Sequence, residues 1–332
     1  MRKLLLLLLI FGFLISCNTK ASTKDSKDSS ATLSVSKDNT SSLIKEKSEK
    51  IAKKSDKKVN KKSEKTFMWK VEGGKSVVYL LGSIHAAKPS LYPLNEKITK
   101  AYEESKNLVV EVDIEENKFA VQMKVMQLGM YNNKTLKDVL PKDVYSNLTK
   151  RAQEIGLTIL AISKMKPWLA SLSLVMFKMK ELGYDPEHGI DLFFLKKAKK
   201  EKKNIIELET AIFQLEMLSS FSEKLNILNI KLMLEDWDKM GAELAKMFAQ
   251  WKIGETQAMS DLTTKYVKKY PEFKGYNKKL LTDRNIDMTK KVDGMLKGKK
   301  TSYFVIVGGG HLIGKSGIIE LLRKKGYKVV QQ

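Results

Sequence analysis

Apolar and polar positions change rhythm several times along the chain. It opens with an unbroken apolar run, "LLLLLLIFGFLIS", behind Arg2 and Lys3, too short to span a bilayer comfortably. Residues 18–66 are mostly Lys, Ser, Asp, Thr and Asn, with scattered apolar positions and no aromatic before Phe67. From there the pattern is that of folded protein. "FMWKVEGGKSVVYLLGSIHA" predicts two strands about a Gly-Gly turn, "NEKITKAYEESK" a helix, and "NLVVEVDI" a buried strand. From about 117 to 200 the spacing is helical, including a core helix started by Pro167 in "PWLASLSLVMFKMKELG". "KKNIIELET" predicts a short strand leading into the helix of "AIFQLEMLSSF". Residues 221–298 read as long amphipathic helices with Pro271 as a break. Strand "TSYFVIVGG", helix "KSGIIELLRKKG" and strand "YKVV" close the chain, with Gly314 and Ser316 at the helix start.

Strands alternating with helices near both ends predict an α/β fold. Its mostly parallel sheet is assembled from both ends of the chain around a large central helical insertion. No internal repeat of fixed period is present.

Composition sharpens this picture. The basic start, the apolar run and the small residues before Cys17 form an export signal, 1–17. "LISC" resembles the lipobox of bacterial lipoproteins, in which the cysteine is acylated after cleavage. Cys17 is the single cysteine, so an internal disulfide and a cysteine metal site are both excluded. Residues 18–66, with 14 lysines against seven acids, predict a flexible tether, because they cannot bury enough apolar surface to offset their ordering entropy. The remainder, 67–332, is the folded domain. The net charge of +23 does not point to nucleic acid. The basic excess is lysine spread along helices, and the arginines that read bases bidentately are only Arg2, Arg151, Arg284 and Arg323.

Candidate chemistry gathers at strand ends. His85 follows "VVYLLGSI", Glu111 ends "NLVVE", Glu209 ends "NIIELE", and His311 follows "YFVIVGGG". Ligands bind at the carboxyl ends of strands in open α/β sheets, so parallel pairing would bring these four to one rim. Two of the three histidines also share a glycine three residues upstream, Gly82 and Gly308; the third, His188, lies in a turn. Two imidazoles with one or two carboxylates suit Zn, Mn or Fe with a position left open for water. A spare carboxylate would serve as general base. A competing motif, G-x-x-x-x-G-K-S from Gly309 to Ser316, matches the phosphate-binding loop. That loop needs a later acidic strand for Mg²⁺, and only "GIIELLRKKGYKVVQQ" follows, so His311 outranks Lys315 as the chemical residue.

The order "LLGSIHAAKPSLYPL", "LVVEVD", "GIDLFFLKKAKKEKKNIIELETAIFQLEML", "LTDRNIDM" and "YFVIVGGGHLIGKSGIIELLRKKGYKV" resembles the TraB/PrgY/GumN family from Phe67 to Val330. Its relatives include the Tiki metalloproteases and, more distantly, erythromycin esterases and haem-binding ChaN-type lipoproteins. The resemblance implies a fold like theirs and a metal-dependent hydrolase, proteolytic in the Tiki branch. It places the two G-x-x-H motifs on His85 and His311, the acidic position on Glu111, and an Arg-Asn motif on Arg284 and Asn285. The Arg284 fork is expected to pin a carboxylate in or behind the site, or one on the substrate. The expectation is therefore a membrane-anchored hydrolase in the bacterial cell envelope, acting on a peptide or protein. Catalysis falls to Glu111, His85, His311 and Arg284, with the divalent metal on His85, His311, Glu111 and Glu209. The alternatives are a haem- or metal-binding lipoprotein and a regulator that binds signal peptides, both without turnover.

A single acyl chain binds membranes only marginally, so stable attachment through Cys17 requires more than one. Cys17→Ser is expected to release the protein or leave its signal uncleaved. A Ser variant found cleaved and still in the membrane fraction would contradict the lipoprotein reading.

Overall fold

A computed structural model describes residues 65–332. Signal, lipobox cysteine and tether lie outside the described residues, apart from Lys65 and Thr66. The six strands are β1 (Met68–Glu72), β2 (Val77–Ser83), β3 (Asn107–Val110), β4 (Asn204–Glu207), β5 (Ser302–Gly308) and β6 (Lys328–Gln331). They form one sheet in the order β4-β3-β5-β2-β1-β6. β4, β3, β5 and β2 are all parallel, whereas β1 runs antiparallel to both β2 and β6. The fold is α/β, as the alternation of elements predicts.

The pairing follows from composition. "VVYLLGS" and "SYFVIVG" are nearly continuous apolar runs because β2 and β5 are central and covered on both faces. Their register runs from Val77↔Ser302 to Ser83↔Gly308. β5, from the carboxyl end, slots between β2 and β3, both from the amino end. The two described ends are themselves joined, with Gln332 N donating to Met68 O at 2.9 Å. β2 and β3 are thus both paired to a strand from the opposite end of the chain, and it is at the carboxyl edge of such crossings that ligands bind in open α/β sheets.

Helices fill the rest. Glu96–Glu104 crosses from β2 towards β3 and seats Tyr102 between Phe194 and Phe304, with ring centroids 4.9 and 5.6 Å away. The Pro167–Glu181 helix starts at its proline and is buried along most of its length, as its apolar sequence requires. Pro271 does interrupt the helical run between Gln257–Lys269 and Phe273–Asn277. Among the described residues no helix is long and apolar enough to cross a membrane.

Arg284 begins the α-helix Arg284–Lys297, which continues without a break from Phe273–Asn277 through a π-helical segment, Lys278–Asp283. The wider π turn shifts the side chains that follow it around the axis, and such turns are frequent at functional sites. The last helix, Ile318–Lys324, is capped by Gly317 rather than begun at Lys315 and Ser316. A separate helical turn, Gly309–Leu312, uses up the residues just before them.

Gly82 is where strand and glycine motif meet. A Cβ there would lie 2.4 Å from Phe67 Cδ1 and 3.1 Å from Gly309 Cα. Gly82→Ala is expected to cost about 1–3 kcal/mol through overpacking, read as a lower urea midpoint. Adding Phe67→Leu should recover part of that loss, because the two changes share one contact. An unchanged midpoint in Gly82→Ala would contradict the close packing.

Candidate functional site

The carboxyl ends of the four parallel strands step directly into the candidate residues. Glu111 follows β3 and extends the ladder, its N–H donating to Ile306 O at 3.0 Å. Glu209 lies two residues beyond β4, and its N–H reaches Glu111 O at 2.9 Å. Their carboxylates are thereby brought side by side, an arrangement that needs a cation. Arg284 supplies it. Its Nε donates to Glu209 Oε1 and Oε2 at 2.9 and 3.0 Å, and its Nη2 to Glu209 Oε2 at 2.7 Å and Glu111 Oε1 at 2.6 Å. Nη1 turns back to Leu280 O, inside the π segment, at 3.0 Å. The guanidinium is 2% exposed, and the positive charge is stabilised by Glu111 and Glu209 against the cost of burial. Gln214 completes the group, its amide donating to Glu111 Oε1 and Glu209 Oε2 at 3.0 and 3.1 Å. Glu111 Oε2 accepts from Gly308 N at 2.8 Å, tying the cluster to the end of β5.

The imidazoles stand at the ends of β2 and β5, paired neighbours whose last residues, Ser83 and Gly308, are in register. His85 Nδ1 meets Asp191 Oδ2 at 2.9 Å, with Ser83 Oγ 3.4 Å away. Asp191 lies in the first turn of the Ile190–Lys200 helix, whose preceding Gly189 packs on the His85 backbone. A Cβ on Gly189 would come within 2.3 Å of His85 O. His311 Nδ1 meets Asn285 Oδ1 at 2.6 Å. Asn285 Nδ2 donates to Ser316 O at 2.8 Å, so the amide presents its oxygen to the ring and the proton of His311 sits on Nδ1. That leaves the lone pair on Nε2, which makes no hydrogen bond among the described residues and lies 3.8 Å from Glu111 Oε1. Burial holds the His311 pKa well below its ordinary value. The Arg284 charge and nearby His85 push the same way, and Glu209 opposes them.

The structure thus gathers His85, Glu111, Glu209, His311 and Arg284 on one rim, with the Arg284 fork holding two carboxylates where one was expected. His188 stays apart, in the Pro186–His188 turn. Asp191 and Gln214 escaped sequence reasoning. An acid in a first helical turn reads as ordinary complement to the helix dipole, and nothing in "AIFQLEML" singles out Gln214. Among the described residues no group of three or more His, Cys, Asp or Glu side chains is arranged to hold a metal ion. Both Glu209 oxygens accept from Arg284. The two imidazoles do fit a metal. Each has Nδ1 fixed by a second group, the manner in which metal-binding histidines are oriented, and His311 Nε2 is a buried acceptor facing Glu111.

The profile of the TraB/PrgY/gumN family matches residues 67–331. Among curated proteins, "uncharacterized protein YbaP" of Escherichia coli strain K12 is 26% identical over 252 residues, covering 75% of this chain and 89% of that protein. Its namesake from Shigella flexneri is 26% identical over 247 residues, 74% of this chain and 87% of its own. An uncharacterized protein of Treponema pallidum strain Nichols is 24% identical over 153 residues, 46% of each chain. No solved structure matches at a significant level.

Two predictions test this geometry. Arg284→Met strands two buried carboxylates and should cost about 3–5 kcal/mol in urea unfolding. Arg284→Lys should restore little of that, since an ammonium cannot span both partners in plane. Wild-type stability in Arg284→Met would contradict the buried fork. The second concerns pH in metal-free protein. Unfolded chain takes up a proton at His311 as pH falls through its ordinary value of 6.5, while the folded ring stays neutral. The contribution is therefore intact above that value and is lost as pH falls below it. His311→Gln should flatten the decline in stability between about pH 7 and pH 5. Identical slopes in the two proteins would contradict a buried neutral ring.

Proposed function

The chain belongs to the TraB/PrgY/gumN family, and on that footing we propose that it is an exported, membrane-anchored, metal-assisted hydrolase of peptide bonds. The reaction centre is His85, His311 and Glu111. The observation that carries this reading is His311, a fully buried imidazole whose Nδ1 is spent on Asn285 and whose Nε2 faces a carboxylate without bonding it. An unmet acceptor in such a place is costly unless a ligand takes it up.

His85 and His311 would hold a Zn, Mn or Fe ion through Nε2, with Glu111 Oε1 within reach. A divalent ion so bound lowers the pKa of a water and polarises a carbonyl. The chain's own residues do the rest. Asp191 and Asn285 fix the rings, so no reorientation is needed when substrate arrives. Glu111 takes the proton of the attacking water and passes it to the leaving amine as the carbon–nitrogen bond breaks. Arg284 acts through Glu111, holding its carboxylate beside His311. Glu209 and Gln214 hold Arg284 and Glu111 in turn.

One observation favours a second reading. Glu111 already accepts three hydrogen bonds, from Arg284, Gln214 and Gly308, which fix its carboxylate in place as a structural anchor. That suits a haem- or metal-binding lipoprotein, or a signal-peptide-binding regulator, without turnover.

Metal content and cleavage of a peptide library, measured on the same purified protein, separate the two. The hydrolase reading expects about one ion per chain, lost with activity in His85→Ala or His311→Ala, since so few ligands leave none spare. Glu111→Gln should keep the ion and lose turnover. Bound metal without cleavage by the wild type would favour the second reading, and absence of both from metal-loaded protein would overturn the metal site.

A further inference from the structure

The Lys118–Gly129 helix, "KFAVQMKVMQLG", carries apolar residues on every side, the pattern of a helix that is covered all round. Those residues are sorted by type. Val121, Val125 and Leu128, all branched, pack against the core. Phe119, Met123 and Met126 face solvent instead and are 78%, 55% and 53% exposed. Met130, half-buried, closes the helix. At 3.6 residues per turn, Phe119, Met123, Met126 and Met130 fall within about 60° of one another around the axis. Three thioethers thus form one stripe, spaced Met-x-x-Met-x-x-x-Met.

The Met130 end of the stripe is held in place. Lys166 N donates to Gly129 O at 2.6 Å and Tyr131 N to Lys164 O at 2.7 Å, so Met130 and Met165 face each other across a short antiparallel bridge. Gly129 lets the helix end sit on Leu169, whose Cδ2 lies 2.5 Å from where a Cβ would be. Met165 turns inward, its sulfur accepting from Ser173 Oγ at 3.5 Å. The lysines of the helix are drawn off the stripe. Lys124 Nζ is 2.7 Å from Glu216 on the Ala211–Ser219 helix, and Lys118 Nζ is 4.0 Å from Glu115. Neither charge is left to repel a cation.

An apolar partner would be served as well by aliphatic side chains. Thioethers add what those lack, a soft and neutral sulfur donor, and such donors select monovalent copper. Residues three or four apart on a helix hold their Cβ atoms about 5–6 Å from each other. Each methionine swings its sulfur on three rotatable bonds, so three sulfurs can meet around one ion without movement of the backbone.

We propose that Met123, Met126 and Met130 bind one cuprous ion on the outer face of this helix. The ion keeps its single positive charge and is held by neutral sulfurs alone. The site is separate from His85 and His311 and depends neither on hydrolysis nor on an ion held there.

The test is anaerobic titration of the full chain with cuprous copper against the chelator ferrozine. The chain carries Cys17→Ser, so that no thiolate competes. Copper K-edge X-ray absorption on the same samples reads the donor atoms. This parent chain should take up copper with sulfur as the main donor. Loss of an outer-shell partner alone lowers metal affinity about 10–100-fold, so Met123→Leu with Met126→Leu should cost at least as much and remove the sulfur signal. Leucine keeps the helix and its apolar face, so a surface that merely docks apolar partners would not register the change. Met295→Leu, at a half-buried position of the Arg284–Lys297 helix, should bind copper as the parent does. Unchanged affinity and sulfur signal in the double variant would overturn the proposal. So would copper held in the parent through nitrogen alone, or no copper taken up at all.

Discussion

One guanidinium sits where three parts of the chain must meet. Arg284 is buried, and a buried cation costs several kcal/mol of lost hydration unless its hydrogen bonds are met. Here they are met by Glu111 from the end of β3, Glu209 from beyond β4, and Leu280 O from its own helix. The carboxylates carry the same requirement in reverse. Because β3 and β4 are paired in parallel, two negative charges end up adjacent on one rim, and only a cation between them makes that tolerable. The π segment before Arg284 belongs to the same constraint, since its Leu280 carbonyl receives Nη1. Helix, strand ends and rim are thus locked together by one charge network, and Glu111 is left standing beside His311.

Around that lock the two imidazoles are arranged alike from different materials. His85 leans on a carboxylate, Asp191, and His311 on an amide, Asn285. The difference has an electrostatic consequence. An amide adds no charge, so burial, with the fields of Arg284 and His85, outweighs the opposing charge of Glu209 and the ring stays neutral. A neutral imidazole with its lone pair inward is the form that can ligate or accept a proton. The parallel register of β2 and β5 makes this possible, because Ser83 and Gly308 are paired and the histidines follow a few residues later. In the proposed function, strand pairing therefore sets the distance between ligands that lie far apart in sequence.

The legible part of this was the part written in short-range pattern. Continuous apolar runs announced β2 and β5, and the glycine three positions before each histidine singled out that pair from the chain's three. The strand-end positions of Glu111 and Glu209 were equally readable, and so was the need of Arg284 for a carboxylate. The partners that set geometry were not. Asp191 reaches His85 across 106 positions and Gln214 reaches Glu111 across 103, through contacts that exist only after helices pack on the sheet. The π turn was hidden because "KKLLTDRN" fits an ordinary helix, and the extra residue follows from Arg284 having to face inward. The same holds for Glu209, whose role as a mate of Arg284 emerges only when both lie on the rim. Gly317, not Ser316, caps the last helix because Gly309–Leu312 forms a turn of its own.

The central claim is that both imidazoles serve one ion beside Glu111, and ligand counting tests it most directly. Zinc K-edge X-ray absorption of the zinc-loaded full chain, wild type and single His→Ala variants, reads the number of imidazoles per ion. The account predicts two imidazoles with oxygen ligands in the wild type, and no more than one in either His85→Ala or His311→Ala. Zinc with no imidazole, or the same two-imidazole signal persisting in both variants, would contradict it.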